Sequence, residues 1–126
     1  MKEFTVYVVN EPGSLARVSE ILSRNGVNIE GIATEKTDNK GIIKIITSDS
    51  NTTKEALERA RMSFSVEDVL VVGLINRPGE LFKLTREMAK EKINVESIYM
   101  ISNEKFAIRV DDMGRAKIIL KEKLIS

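Results

Sequence analysis

The chain has 126 residues, 20 Lys and Arg against 19 Asp and Glu, 42% hydrophobic residues, and no Cys, His or Trp. Without Cys or His there is no disulfide, thiolate zinc site, iron–sulfur cluster, cysteine nucleophile or imidazole base. A formal charge of +1, with nine charges of each sign in residues 1–66 and eleven cations against ten anions in 67–126, supplies no cationic excess for phosphates and argues against nucleic acid.

In chain order, residues 4–10 are rich in β-branched and aromatic residues and stop at Glu11-Pro12-Gly13, a strand ending in a turn. Leu15, Val18, Ile21 and Leu22 recur at helical spacing behind Ser14, read as an N-cap, and Gly26 is placed to end the helix in a left-handed conformation. Residues 29–36 read as a strand, 37–41 as a hairpin loop and 42–47 as another strand. After a polar stretch at 49–53, Ala56, Leu57, Ala60 and Arg61 trace a second helix with Arg61 in its last turn, and 63–66 form a short strand. The same order returns: strand 69–76, helix 80–92, strand 95–101, a tighter turn at 102–104, strand 105–110, helix 114–123 and a last strand at 123–126. Lys92 stands where the first copy has Gly26.

That return is a repeat. Shifting the chain by 66 positions aligns residues 6–32 with 72–98, and eight of those 27 pairs are identical, where composition alone gives one or two. Asn10, Pro12, Gly13 and Leu15 match Asn76, Pro78, Gly79 and Leu81, and Asn28, Glu30 and Ile32 match Asn94, Glu96 and Ile98. The expected fold is therefore α+β, with two βαββαβ modules over residues 1–67 and 68–126. Each has an antiparallel four-stranded sheet with both helices on one face, the ferredoxin-like pattern. Apolar residues on both alternating sets of 69–75 imply that part of the helix-free face is covered as well.

Asn-x-Pro-Gly-x-Leu at 10–15 and 76–81 is the most informative motif. Pro fixes φ, Gly lets the backbone turn and approach another molecule, and the helix that starts there offers unpaired N–H groups and a partial positive charge. A carboxylate suits that end. The Asn amide can accept from an ammonium or donate to a carboxylate, so one turn can hold both charged ends of a free α-amino acid. Arg77 in the second copy can pair with a carboxylate, whereas Glu80 competes with one.

With Val-Asn-Ile-Glu-Gly-Ile at 27–32 and Ile-Asn-Val-Glu-Ser-Ile at 93–98, these turns make the whole chain resemble a tandem ACT domain protein of the stand-alone type. The resemblance implies a regulatory module that binds an amino acid or other small molecule where two domains meet, through the first turn and the start of the second strand. Carried onto this sequence, it implicates Asn10, Pro12, Gly13, Ser14 and Leu15 with Asn28 and Ile29, and Glu11 joins them as a candidate from its place inside the turn. In the second copy it implicates Asn76, Pro78, Gly79, Glu80 and Leu81 with Asn94 and Val95, and Arg77 joins them as a candidate from its charge inside the turn.

The bland readings lie elsewhere. Glu67-Asp68 and Asp111-Asp112 are adjacent acids that face opposite ways on a strand and make no acid/base couple. Asn51-Thr52-Thr53 is a helix start more than a glycosylation site. The expectation is thus a non-catalytic sensor of a small molecule, without a cofactor or metal. Its partners are the ligand, a second copy in a homodimer or larger oligomer, and a separate enzyme, with no nucleic acid and no membrane. The alternative is a ligand-free module that docks on and regulates a partner enzyme. Glu3 and Thr5 interrupt any leader-like apolar stretch, so the expected location is cytoplasmic.

Overall fold

The computed structural model describes residues 1–125, which fall into two compact units divided after Glu67, at the end of the strand that closes the first. The first contains β1 (Lys2–Val9), α1 (Ser14–Arg24), β2 (Ile29–Thr37), β3 (Lys40–Thr47), α2 (Ser50–Arg59) and β4 (Ser63–Asp68). Its sheet runs β2-β3-β1-β4, with β1 and β2 both antiparallel to β3. The alternation of β1 sends Phe4 and Val6 to one face, beside Ile45 and Ile43 of β3, where Val18 and Leu22 of α1 and Leu57 of α2 close the core. Glu3, Thr5 and Ile46, on the opposite face, are buried too.

The second unit contains β5 (Leu70–Gly73), α3 (Glu80–Lys90), β6 (Val95–Ser102), β7 (Lys105–Val110) and α4 (Met113–Ile119). Its core repeats the first at matching positions: Val72 for Val6, Leu84 for Val18, Met88 for Leu22 and Ile93 for Val27. Its sheet, β5-β7-β6, has three strands where four are expected from the sequence. The segment after α4 makes a single antiparallel bridge, Leu124 to Val72, flanked by bonds from Gly73 N to Lys123 O (2.8 Å) and Ile125 N to Val71 O (2.7 Å). Ser126, in the expected last strand, lies outside the described residues.

Several boundaries also differ from expectation. Helix α4 stops at Ile119 instead of 123, because Leu120 caps it and the chain turns through a Lys123 N to Leu120 O bond to reach β5. Strand β5 stops at Gly73 instead of 76, because the β6–β7 hairpin runs out beside it; Leu74 N donates to Glu104 O at the hairpin tip. Arg61 is not in the last turn of α2 but beyond its cap, in the left-handed region at φ 57°. Among the described residues no helix is long and apolar enough to cross a membrane.

Candidate functional site

The two Asn-x-Pro-Gly-x-Leu turns have the same backbone. Gly13 (φ 93°, ψ −13°) and Gly79 (φ 90°, ψ −13°) occupy the N-cap positions of α1 and α3 in a conformation that residues with a Cβ rarely adopt. In the first turn Ser14 N donates to Glu11 O (3.3 Å) and Arg17 N to Gly13 O (2.9 Å); in the second Glu80 N donates to Arg77 O (3.4 Å) and Lys83 N to Gly79 O (3.0 Å). Neither helix has a side-chain cap, so its leading N–H groups are left for solvent or a ligand. Ser14 is therefore not the N-cap expected from the sequence. Glycine takes that place because the turn demands positive φ, and the Ser14 hydroxyl donates back to Val9 O at 2.7 Å.

Around the first turn lie two hollows. One, of about 320 Å³, is lined by Val8, Val9, Asn10, Glu11, Ser14 and Leu15 on one side and by Thr34, Glu35, Lys36, Gly41, Ile42 and Ile43 on the other. The second, of about 490 Å³, lies along Pro12, Gly13 and Ser14 and is flanked by Arg17 and Arg61. Motif reading alone missed the β2–β3 wall of the first hollow. The signal was present in the unequal hairpin loops of the two copies. Phe4 pairs with Ile45 and its counterpart Leu70 with Ile108, so the second hairpin is three residues shorter. In the first unit the longer hairpin reaches the turn, where Asn10 N donates to Asn39 O at 2.8 Å. Gly41 makes that approach possible: a Cβ there would lie 2.9 Å from Val8 Cγ2.

The corresponding hollow at the second turn is smaller. The hollow lined by Leu74, Ile75, Asn76, Arg77, Glu80, Leu81 and Phe106 measures about 100 Å³. Asn76 Nδ2 donates to Asn103 Oδ1 at 2.8 Å, and Arg77 Nε donates to Glu80 Oε1 at 2.6 Å with Lys83 Nζ 3.6 Å away. The Arg77 hydrogen bond, aided by the charges of Arg77 and Lys83, holds the Glu80 carboxyl below the ordinary glutamate range against the opposing effect of burial.

Asn28 and Ile29 do not join the first turn. They sit past the C-terminal end of α1, beside another hollow of about 440 Å³ with Ser19, Ser23 and Gly26. The eleven residues of α1 put roughly 16 Å between its two ends, too far for one amino acid to touch both. Asn94 and Val95 hold the equivalent place after α3, where Asn94 N donates to Asp111 Oδ1 at 3.0 Å. Asp111 and Asp112 act locally, the latter capping α4 through Arg115 N at 3.0 Å.

A sequence model described as an ACT domain pair matches residues 1–126. The chain belongs to the ACT domain pair family. ACT domains are regulatory domains, and two tandem copies fill this ACT domain pair from one end to the other. Among solved structures, a protein from Bacteroides thetaiotaomicron is 25% identical, with a TM-score of 0.91 over 98% of this chain and 90% of its own. The regulatory subunit of aspartate kinase from Thermus thermophilus, in a ligand-free form, is 18% identical with a TM-score of 0.69, covering 95% of this chain and 87% of its own. The latter similarity is one of fold. Comparison with curated proteins gives no match.

Proposed function

We propose that this ACT domain pair is a non-catalytic sensor that binds a free amino acid at its Asn-x-Pro-Gly-x-Leu turns and relays the occupancy to a separate protein or to a change of assembly. One observation carries the reading: an uncapped helix N-terminus, an Asn amide and a hollow of about 320 Å³ meet at one turn. Sites for small molecules begin at roughly this size, about 300 Å³. The ligand carboxylate faces the start of α1, where the helix dipole and free N–H groups favour an anion. Its ammonium is taken by the Asn10 amide oxygen and the Glu11 carboxylate, and its side chain lies against Val8, Leu15 and Ile43. The regulatory subunit of aspartate kinase, a neighbour in fold, supports a role on a separate enzyme. Asn28 and Ile29, far from the turn within their own unit, reach the ligand from a second copy in a homodimer.

Calorimetric titration with each of the twenty amino acids tests this, with Asn10→Ala and Asn76→Ala alongside. The expected result is one amino acid binding with a dissociation constant between ~1 mM and ~1 μM, roughly −4 to −8 kcal/mol, and weakened by substitution at a turn. Heats that survive both substitutions would place the site elsewhere. The alternative, a ligand-free docking module, draws on the exposed Phe82 of α3 and Ile118 of α4; it predicts no heat with any amino acid.

A further inference from the structure

We infer that the chain carries one amino-acid site, at the first turn, and that the second turn is closed by its own side chains, with Glu80 standing in place of a ligand carboxylate. The inference rests on the reading of these turns as amino-acid sites and concerns which of them works. The two turns share their φ/ψ values at glycine and their bonds into the helix, so the difference lies in the side chains and in the neighbouring hairpin.

At the first turn, helix α1 opens with neutral Ser14, whose hydroxyl is turned back to Val9 O. Among the described residues Glu11 has no ion-pair partner, and it lines the hollow. Both charges of a zwitterion therefore find an unanswered counterpart there. At the second turn each of these positions is changed and already satisfied. Arg77, in place of Glu11, donates to Glu80, and Glu80, in place of Ser14, is only 9% exposed although charged. A carboxylate entering at the start of α3 meets this negative charge and must break a charge-assisted hydrogen bond to be received. The Asn76 amide nitrogen donates to Asn103 Oδ1. The shorter hairpin has no equivalent of the Val8–Gly41 and Val9–Lys40 rungs, so the wall that encloses the first hollow is missing. The hollow that Asn76 and Arg77 line measures about 100 Å³, well under the roughly 300 Å³ at which small-molecule sites begin.

Calorimetry on the full chain gives the test, read as stoichiometry with the amino acid that binds best. The wild-type protein should take up one equivalent per chain. The double variant Glu11→Arg/Ser14→Glu copies the Arg77–Glu80 pair into the first turn and should lose at least 100-fold in affinity while keeping its circular dichroism and melting temperature. If that variant does not fold, Asn10→Ala decides alone: it should weaken the whole of the ligand heat, with no unaffected class of sites left. Two equivalents per chain, half the sites persisting at wild-type affinity in Asn10→Ala, or wild-type affinity in the folded double variant would each overturn the single-site assignment. A wild-type protein silent to all twenty amino acids is a different result and overturns the amino-acid reading itself, taking this inference with it.

Discussion

Gly13 and Gly79 isolate one physical effect. A Cβ on either would meet no heavy atom within 4 Å, while φ is 93° and 90°, so in the folded state substitution by Ala introduces backbone strain without a clash, partly offset by a stiffer unfolded chain. Such a conformation costs a non-glycine residue about 1–3 kcal/mol, and urea denaturation should show losses in that range for Gly13→Ala and Gly79→Ala that agree within a few tenths. Gly41→Ala is a different experiment, because the new methyl meets the short, stiff Val8 side chain; it should displace that wall of the hollow and weaken ligand binding at the first turn, as read by calorimetry. Glu80 adds a pH dependence. Its folded pKa is lowered, chiefly by the Arg77 hydrogen bond, so its contribution is complete above the ordinary glutamate value of about 4.3 and fades as pH falls through the lower folded value. The stability gap between wild type and Glu80→Gln, measured by denaturation from pH 7 to pH 3, should therefore narrow at the acid end. The glycines were legible in the sequence because one residue type answers one backbone demand. The Arg77–Glu80 pair was legible only as two charges near a helix end, since which partner a long side chain takes depends on distances that spacing does not encode.

Helix ends show how alike the two modules are beneath unlike sequences. Helix α1 closes with Val27 N to Leu22 O (2.9 Å) and Gly26 N to Ser23 O (3.0 Å), a Schellman motif with Gly26 at φ 68°. Helix α3 closes in the same way through Ile93 N to Met88 O and Lys92 N to Ala89 O (both 3.0 Å), with Lys92 at φ 59°. The apolar residue after the turn, Val27 or Ile93, is buried and its burial fixes the motif, so lysine is held in a conformation that costs an L-residue roughly 1–2 kcal/mol. Lys92→Gly should therefore raise the unfolding free energy by a net of about 0.5–1 kcal/mol, read as a higher urea midpoint, the relief being partly offset by the flexibility of glycine in the unfolded chain. Periodicity located α1 and α2, each of which buries a stripe of its own, and the repeat carried the reading to α3 and α4. Ends were less readable where a neighbour imposes them: β5 stops where the β6–β7 hairpin stops, and α4 where the chain must return to β5. The wall of the first hollow belongs to the same class, being a consequence of hairpin length and not of any motif.

Duplication at the level of the whole molecule has preserved the core and let the turns diverge. Leu22 and Met88 are fully buried at equivalent positions, and truncating either to Ala should cost about 2–5 kcal/mol, measurable as a shift in the urea midpoint. Nothing in that equivalence extends to the surfaces beside the turns. The first unit offers a hollow of about 320 Å³ and the second about 100 Å³, so a ligand should act on one module and leave the other's exchange behaviour as it was. Hydrogen–deuterium exchange resolves this along the chain. A ligand at 100 times its dissociation constant adds about 2.7 kcal/mol to the closing equilibrium of the segment that holds it, close to a hundredfold slowing of exchange through local opening. That slowing should appear over residues 10–15 and across the β2–β3 hairpin, where residues 34–36 and 41–43 face the hollow. Residues 76–81 and the β6–β7 hairpin should exchange at unchanged rates. Equal protection of both turns would mean that the Arg77–Glu80 pair opens to admit a ligand, and the two copies would then be alike in chemistry as well as in backbone.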